Sequence, residues 1–219
     1  MYSDYMDAFE QTCEDLIEIA QRRIAEEYDE GCPHYHAYHN STHTQNVIDA
    51  TLKLCERAGT PRRKACLCKL AAAYHDIVHN GDSAPENEPL SADFAAIMMK
   101  TSKHFTTHDI KRVQHMILAT ICTQKYPKIT QSPLPHDYEA KLLCDADKAG
   151  FGKPYDEFIK SAMDFFHELH GDEAGDEELR KYNEIECTLL SNHSFWTKEA
   201  NELFPFAQDN YKKLTRSLG

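Results

Sequence analysis

Apolar residues recur every three or four positions along most of the chain, which is the spacing of amphipathic α-helices. The first stripe comprises Phe9, Cys13, Leu16, Ile17, Ala20 and Ile24. A second helix is predicted to begin near Asn40 or Ser41 and to end at Gly59. A third runs through LCKLAAAYHDIVH and ends near Asn80-Gly81, and its apolar LAAAY run predicts a central, buried position. Further helices are predicted over 89–101, 107–122, 137–148, 154–170, 175–191 and 197–217.

The segments between these helices contain much of the proline and glycine, as in GDSAPENEP, YPKITQSPLP and GFGKP. No alternating apolar and polar run is long enough to predict a sheet, and there is no internal repeat. No linker is long enough to divide the chain. The sequence therefore predicts an all-α protein with a single domain spanning residues 1–219.

The overall charge limits the classes of partner. The formal net charge is -12 with histidine counted as neutral, while the apolar fraction of 41% and the charged fraction of 27% are ordinary for a globular protein. Such a charge disfavours binding to a nucleic acid polymer or an anionic membrane through a broad basic face. A local basic pocket for a phosphate group remains compatible with it.

The eight cysteines do not form a pattern that predicts disulfides or zinc-thiolate sites, because most lie inside apolar helical stripes and none forms a CxxC pair. The N-terminal MYSDYMDAFEQ lacks the basic start and apolar run of a signal peptide. No stretch approaches the roughly 20 apolar residues of a membrane span. These features favour a reduced, cytoplasmic protein that does not associate with membranes.

Histidines cluster in two short segments, YHNSTH at 38–43 and HDIVH at 75–79. His39 and His43 are four residues apart, as are His75 and His79, and residues four apart share one face of a helix. Asp76 in an apolar setting is costly unless it is paired or binds a cation. A single histidine of this kind is more often a cap or a core residue. The coincidence of the whole set instead favours a metal site.

Adjacent side chains point about 100° apart on a helix, so His75 and Asp76 can flank one ion but cannot complete its coordination. His43 is a candidate from the neighbouring helix. The LLCDADKAG segment offers Asp145 and Asp147. Nitrogen and carboxylate ligands without a thiolate suit a divalent metal ion, with Mn, Fe, Co, Ni, Zn and Mg all conceivable, as one or two ions.

These motifs resemble those of the HD superfamily of metal-dependent phosphohydrolases, whose conserved order is His, then His-Asp, then Asp. YHNSTH, YHDIVHN, NEPLSA, ILAT and LLCDADKAGFGKPYDEF resemble small bacterial phosphohydrolases of this superfamily, from about residue 28 to the C-terminal helix. The YHNxxHxxxV and HDxxH patterns are also similar to the catalytic domains of class I cyclic nucleotide phosphodiesterases. The resemblance implies a single-domain HD-type helical bundle.

The resemblance also implies roles for individual residues. His39 would be the general acid that protonates the leaving oxygen, His79 would contact metal-bound water, and Lys148 would lie near substrate phosphate. Asp147 is chosen over Asp145 because relatives place the ligand in an Ala-Asp pair. The implied metal ligands are His43, His75, Asp76 and Asp147.

Other residues are open to two interpretations. Glu88 could orient the nucleophilic water or a ligand histidine, or it could be a carboxylate that stabilises a helix N-terminus. Lys148 could equally be a solvated lysine. Phe165, Phe166 and Leu169 form a helical stripe that predicts core positions.

The sequence departs from its relatives at two positions: Gln124 stands where several carry a further histidine, and His36 stands where they often carry arginine. The favoured function is hydrolysis of a phosphomonoester or phosphodiester of a small molecule, with a nucleotide as the leading case. The alternatives are an HD-type di-iron oxygenase, disfavoured by Gln124, and a non-catalytic nucleotide- or metal-binding regulatory module. The sequence defines neither the substrate nor the oligomeric state.

Overall fold

The predicted helices form in the expected order in the computed structural model, which describes residues 7–81, 85–125 and 128–218. The α-helices of these residues are α1 (Ala8–Tyr28), α2 (Ser41–Arg57), α3 (Arg62–Tyr74), α4 (Asn87–Lys100), α5 (Thr107–Ala119), α6 (Tyr138–Asp147), α7 (Tyr155–His170), α8 (Asp176–Asn192), α9 (Lys198–Leu203) and α10 (Ala207–Leu218). A single 3₁₀ turn, Ala149–Gly152, follows α6. The all-α prediction is confirmed.

Polar residues at the helix ends explain several boundaries. Asp7 and Glu10 form a capping box at the start of α1, and Thr106 and Asp109 form another at the start of α5. After α2, Gly59 adopts a φ of +64°, which a residue with a Cβ rarely accepts. Local side-chain chemistry therefore fixes where these helices begin and end.

The prediction of one helix over 197–217 is wrong, because α9 ends at Leu203 and α10 begins at Ala207. Pro205 lies between them and has no N–H for a helical hydrogen bond. The Phe206 N–H instead donates to the carbonyl of Gly152 at 3.2 Å. A Cβ at Gly152 would collide with the Phe204 backbone, so this close approach requires glycine.

A short antiparallel hairpin, which the sequence does not predict, follows α5. Strand β1 (Thr123–Lys125) pairs with β2 (Lys128–Thr130), with Gln124 opposite Ile129. Strands of three residues are too short to show the alternation that identifies a strand in a sequence. The side chain of Gln124 lies outside the described part of the structure.

The main core surrounds α3, where Leu70, Ala71, Ala72, Ala73 and Tyr74 are completely buried, as predicted for LAAAY. Helices α1, α2, α4, α5 and α6 contribute to the same core. A smaller cluster of Phe158, Leu190 and Leu214 joins α7, α8 and α10. All eight cysteines are free thiols. Within the described ranges, no helix has the length and apolar character needed to cross a membrane.

Candidate metal centre

His43 is held at the first turn of α2 by the cap of that helix. Asn40 is the N-cap, and its Oδ1 accepts the N–H groups of Thr42 at 2.9 Å and His43 at 3.2 Å. The Asn40 amide in turn donates to the carbonyls of His36 and Ala37, both at 3.0 Å. The cap therefore joins the loop before α2 to the helix and fixes the position of the buried His43 imidazole.

The HDIVH segment is not helical, contrary to the prediction, because α3 ends at Tyr74. Side chains from other helices satisfy its backbone instead. The His79 N–H donates to the Tyr28 hydroxyl at 2.9 Å, and the Val78 N–H donates to Ser91 Oγ at 3.1 Å. These bonds compete with continuation of the helix, so His75 and Asp76 lie in a turn at the end of a buried helix.

The two aspartates of α6 have different surroundings. Asp145 is buried and accepts the N–H groups of Trp196 at 2.7 Å and Thr197 at 2.9 Å, together with the Thr197 hydroxyl at 2.6 Å. It therefore anchors the start of α9. The Oδ1 atom of Asp147 lies 3.5 Å from Nε2 of His43 and 3.7 Å from Nε2 of His75.

Four side chains converge at the centre. The Oδ2 atom of Asp76 lies 2.9 Å from Nε2 of His75 and 3.4 Å from Nε2 of His43. Within the described residues, neither imidazole Nε2 has a hydrogen-bond partner of suitable geometry, although both nitrogens are buried. His75 Nδ1 lies 2.8 Å from the Ala72 carbonyl, which can only accept a hydrogen bond, so Nδ1 is the donor there and Nε2 is the nitrogen that faces the carboxylates.

The charges at the centre favour a cation. Burial alone would raise the pKa of the Asp76 carboxyl, but His75 and His43 hold that pKa well below its usual range. The pKa of the Asp147 carboxyl is likewise well below its usual range, because Lys148 and the two histidines more than offset burial. Two carboxylates and two imidazole nitrogens therefore converge with separations of 2.9 to 3.7 Å, a donor set that suits a first-row divalent ion.

Gln131 and Lys148 orient the Asp147 carboxylate. The Gln131 amide donates to Oδ2 at 2.6 Å, and the Lys148 ammonium lies 3.1 Å from the same oxygen. Oδ1 is the oxygen that faces the histidines. Sequence reasoning missed Gln131, because no motif surrounds it and it lies 16 residues before its partner.

His39 lies beside the centre and is bonded to a residue far along the chain. Its Nδ1 is 2.5 Å from Oε1 of Glu168 on α7, and its ring stacks on His79 with centroids 4.1 Å apart. Glu168 Oε2 also accepts the N–H groups of Tyr38 at 2.6 Å and His39 at 2.9 Å. Sequence reasoning missed Glu168, which carries no motif of its own.

The remaining predicted positions have mixed outcomes. Glu88 is half-buried in the first turn of α4, and burial together with the negative charges of Asp76 and Asp147 raises its pKa. Phe166 is buried as predicted, but Leu169 is exposed, which contradicts its assignment to the core. Phe165 is half-buried, with its ring 5.7 Å from that of His39.

One solved structure with a similar fold is the crystal structure of Bacillus subtilis YpgQ in complex with ADP. The match has a TM-score of 0.61 at 18% sequence identity and covers 96% of this chain and 95% of that chain. No family model matches the chain, and no curated protein matches it. The likeness concerns the fold, and both the likeness and the order of the helices agree with the predicted all-α class.

Proposed function

We propose that this protein is a metal-dependent hydrolase of a phosphate ester on a small molecule, with a nucleotide as the leading substrate class. The observation that carries the proposal is the convergence of His43, His75, Asp76 and Asp147, two of whose imidazole nitrogens are buried without a hydrogen bond in the described structure. Metal-binding clefts of this composition are typical of hydrolytic sites.

In this proposal those four residues would hold a divalent metal ion. A bound ion of this kind supplies a water that deprotonates near neutral pH and offsets negative charge on phosphoryl oxygens. Gln131 fixes one oxygen of Asp147 and leaves the other for coordination. Glu88, whose pKa is raised by burial and by the charges of Asp76 and Asp147, would orient the nucleophilic water in this proposal.

His39 is the proposed general acid. Glu168 accepts a hydrogen bond from the Nδ1–H group of His39, so Nε2 is the atom that would donate a proton to the leaving oxygen. His79 stacks on the same ring and helps to fix its plane. Lys148, adjacent to Asp147, supplies positive charge for a substrate phosphate. Each of these residues acts on the leaving group or on the charge of the substrate.

A nucleotide substrate is supported by the shared fold, since Bacillus subtilis YpgQ was crystallised with ADP. Phe165 and Tyr38, with ring centroids 5.2 Å apart, provide aromatic surface beside His39. Aromatic surface can pack against a nucleobase, as it does in nucleic-acid recognition.

The direct test is phosphate release from nucleotides and phosphorylated metabolites by metal-stripped protein resupplied with Mn, Co, Zn or Mg. The proposal expects turnover that requires added metal and is lost in Asp76→Ala. Anaerobic protein with Mn should remain active, which separates hydrolysis from oxygenase chemistry. Nucleotide binding without phosphate release under any of these conditions would instead identify a regulatory binding module.

A further inference from the structure

A second group of possible metal ligands lies outside the centre described above. His36, from the loop before α2, His79, from the HDIVH turn, and Glu168, on α7, each present one ligand atom, and these atoms lie within 4.8 Å of one another. The side chains of His36 and Glu168 are 15% and 5% exposed, and His79 is 7% exposed. Residues from three separate parts of the chain are thus gathered in one largely buried place.

We infer that His36, His79 and Glu168 form a second site for a divalent transition-metal ion, distinct from the centre formed by His43, His75, Asp76 and Asp147. Nitrogen and carboxylate ligands without a thiolate suit Zn, Co, Mn or Fe. This inference concerns binding and does not depend on the proposed hydrolysis.

The spacing of the ligand atoms fits such an ion. Ligand atoms around a tetrahedral zinc at about 2.1 Å lie roughly 3.4 Å from one another. His36 Nδ1 is 3.7 Å from Glu168 Oε1, and the whole set lies within 4.8 Å. The largest of these separations would have to shorten by at most about 1.4 Å, shared between two side chains, to reach that spacing.

The Glu168 carboxylate retains capacity for a ligand bond. A carboxylate has about four acceptor positions. Within the described structure, two are used on Oε2 by the N–H groups of Tyr38 and His39, and one on Oε1 by His39 Nδ1. The remaining position belongs to Oε1, the oxygen that faces His36 Nδ1. Glu168 can therefore hold His39 and bind a cation at the same time.

The spacing of the two imidazoles also disfavours protonation of both. The His36 and His79 rings, with centroids 4.7 Å apart, would repel each other if both were protonated.

His39 adjoins both groups, because its ring centroid is 4.1 Å from that of His79 and 5.5 Å from that of His43. A second ion would thus lie next to the proposed proton donor. The alternative is that Glu168 serves His39 alone and that His36 only packs against Tyr28, with ring centroids 5.0 Å apart. These two possibilities predict different metal stoichiometries.

The test is Co(II) titration of metal-stripped protein, followed by visible absorption and calorimetry, with elemental analysis of the saturated protein. His36→Phe and His79→Phe remove the donor nitrogens but keep an aromatic ring for packing. His34→Phe is the matched control, because His34 lies on the surface, 3.5 Å from Glu27, and does not belong to the group formed by His36, His79 and Glu168. Circular dichroism checks that each variant is folded.

The inference expects two Co(II) equivalents in the unmodified chain and in His34→Phe, and one in His36→Phe and in His79→Phe. Asp147→Asn should also retain one equivalent, and combining it with His36→Phe should leave none. One equivalent in the unmodified chain, or two in both folded phenylalanine variants, would overturn the second site. Neither result would bear on phosphate release, so failure of the proposed hydrolase remains a separate outcome.

Discussion

The Gln131 side-chain amide joins the Asp147 carboxylate, at 2.6 Å, to the Thr120 carbonyl, at 3.1 Å. Asp147, whose other oxygen faces His43 and His75, is thereby tied to the end of α5. Gln131 is buried, so both bonds are protected from competing water. The orientation of one proposed ligand therefore depends on a residue that does not itself face the ion.

Replacing this amide should weaken metal binding without removing a ligand. We expect Gln131→Met to lower the affinity for Co(II) or Mn(II) by about 10- to 100-fold, since losses of this size follow removal of groups that orient ligands. Gln114→Met is the control, because Gln114 donates to Asp93 on an exposed surface. Calorimetric titration measures both variants, and equal affinities would contradict the orienting role.

Substitutions of the two aspartates of α6 should have different effects, one on metal binding and the other on stability. Asp147→Asn should abolish binding at the first centre and metal-dependent turnover. Asp145→Asn should keep the metal but lower the free energy of unfolding by about 1–3 kcal/mol, because an amide cannot accept all the donors at the start of α9. Metal analysis and urea unfolding measure the two effects. Loss of metal from Asp145→Asn alone would reverse the assignment.

His39 and Glu168 should behave as one unit in catalysis. His39→Asn should retain metal at the first centre and slow hydrolysis of a ribose phosphate ester by about 10²–10⁴-fold, because an alkoxide leaving group needs a proton. The effect should be much smaller for p-nitrophenyl phosphate, whose leaving group departs without protonation.

A double-mutant cycle tests the partnership directly. If Glu168 acts through His39, then Glu168→Gln should slow hydrolysis of the ribose ester when His39 is present. The same substitution should have little further effect on the rate of the His39→Asn variant. Turnover of both esters at saturating metal measures the coupling. Fully additive losses would mean that Glu168 acts independently of His39.

The buried Glu186 on α8 predicts a pH dependence of stability. Burial raises the pKa of its carboxyl from an ordinary 4.5 to about 7, and the Tyr182 hydroxyl and the Lys148 ammonium only partly oppose this shift. The folded protein therefore binds more protons than the unfolded chain between about pH 4.5 and 7. The stabilisation from this proton is present at acidic pH and is lost as the pH rises through about 7.

We therefore expect Glu186→Gln to raise the free energy of unfolding at pH 8 by about 1–3 kcal/mol, with a smaller gain at pH 5. Urea unfolding at the two pH values measures this difference. Glu184→Gln is the control, since Glu184 is exposed on the same helix and pairs with Arg180. If the free energy of unfolding rose equally at both pH values, ionisation of the Glu186 carboxyl would not be the cause of the increase.

The sequence predicts most helices because the three- and four-residue spacing of apolar side chains indicates which face of each helix is buried in the core. It fails at HDIVH, where Tyr28 and Ser91 supply hydrogen bonds that end α3 early. Such bonds join residues 13 and 51 positions apart and leave no local pattern. The break between α9 and α10, in contrast, has a local cause in the sequence, because Pro205 lies within it and cannot donate a helical hydrogen bond.

The sequence predicts the histidines and aspartates that converge at the candidate centre, but it does not predict the residues that hydrogen-bond to them. Glu168 lies 129 residues from His39, and Gln131 lies in a segment without regular periodicity. Orienting side chains need only a suitable donor or acceptor at the right point in space. Their positions therefore depend on tertiary packing rather than on sequence spacing.

Asp145 and Asp147 also restrict the rotation of α6. Side chains two residues apart point about 200° apart around a helix axis, so these carboxylates reach towards nearly opposite sides. Asp145 is bonded to the start of α9, while Asp147 is bonded to Gln131. The final turn of α6 cannot rotate without breaking bonds on both sides. The Asp147 carboxylate is thus preorganised, and little conformational entropy remains to be lost when a ligand binds.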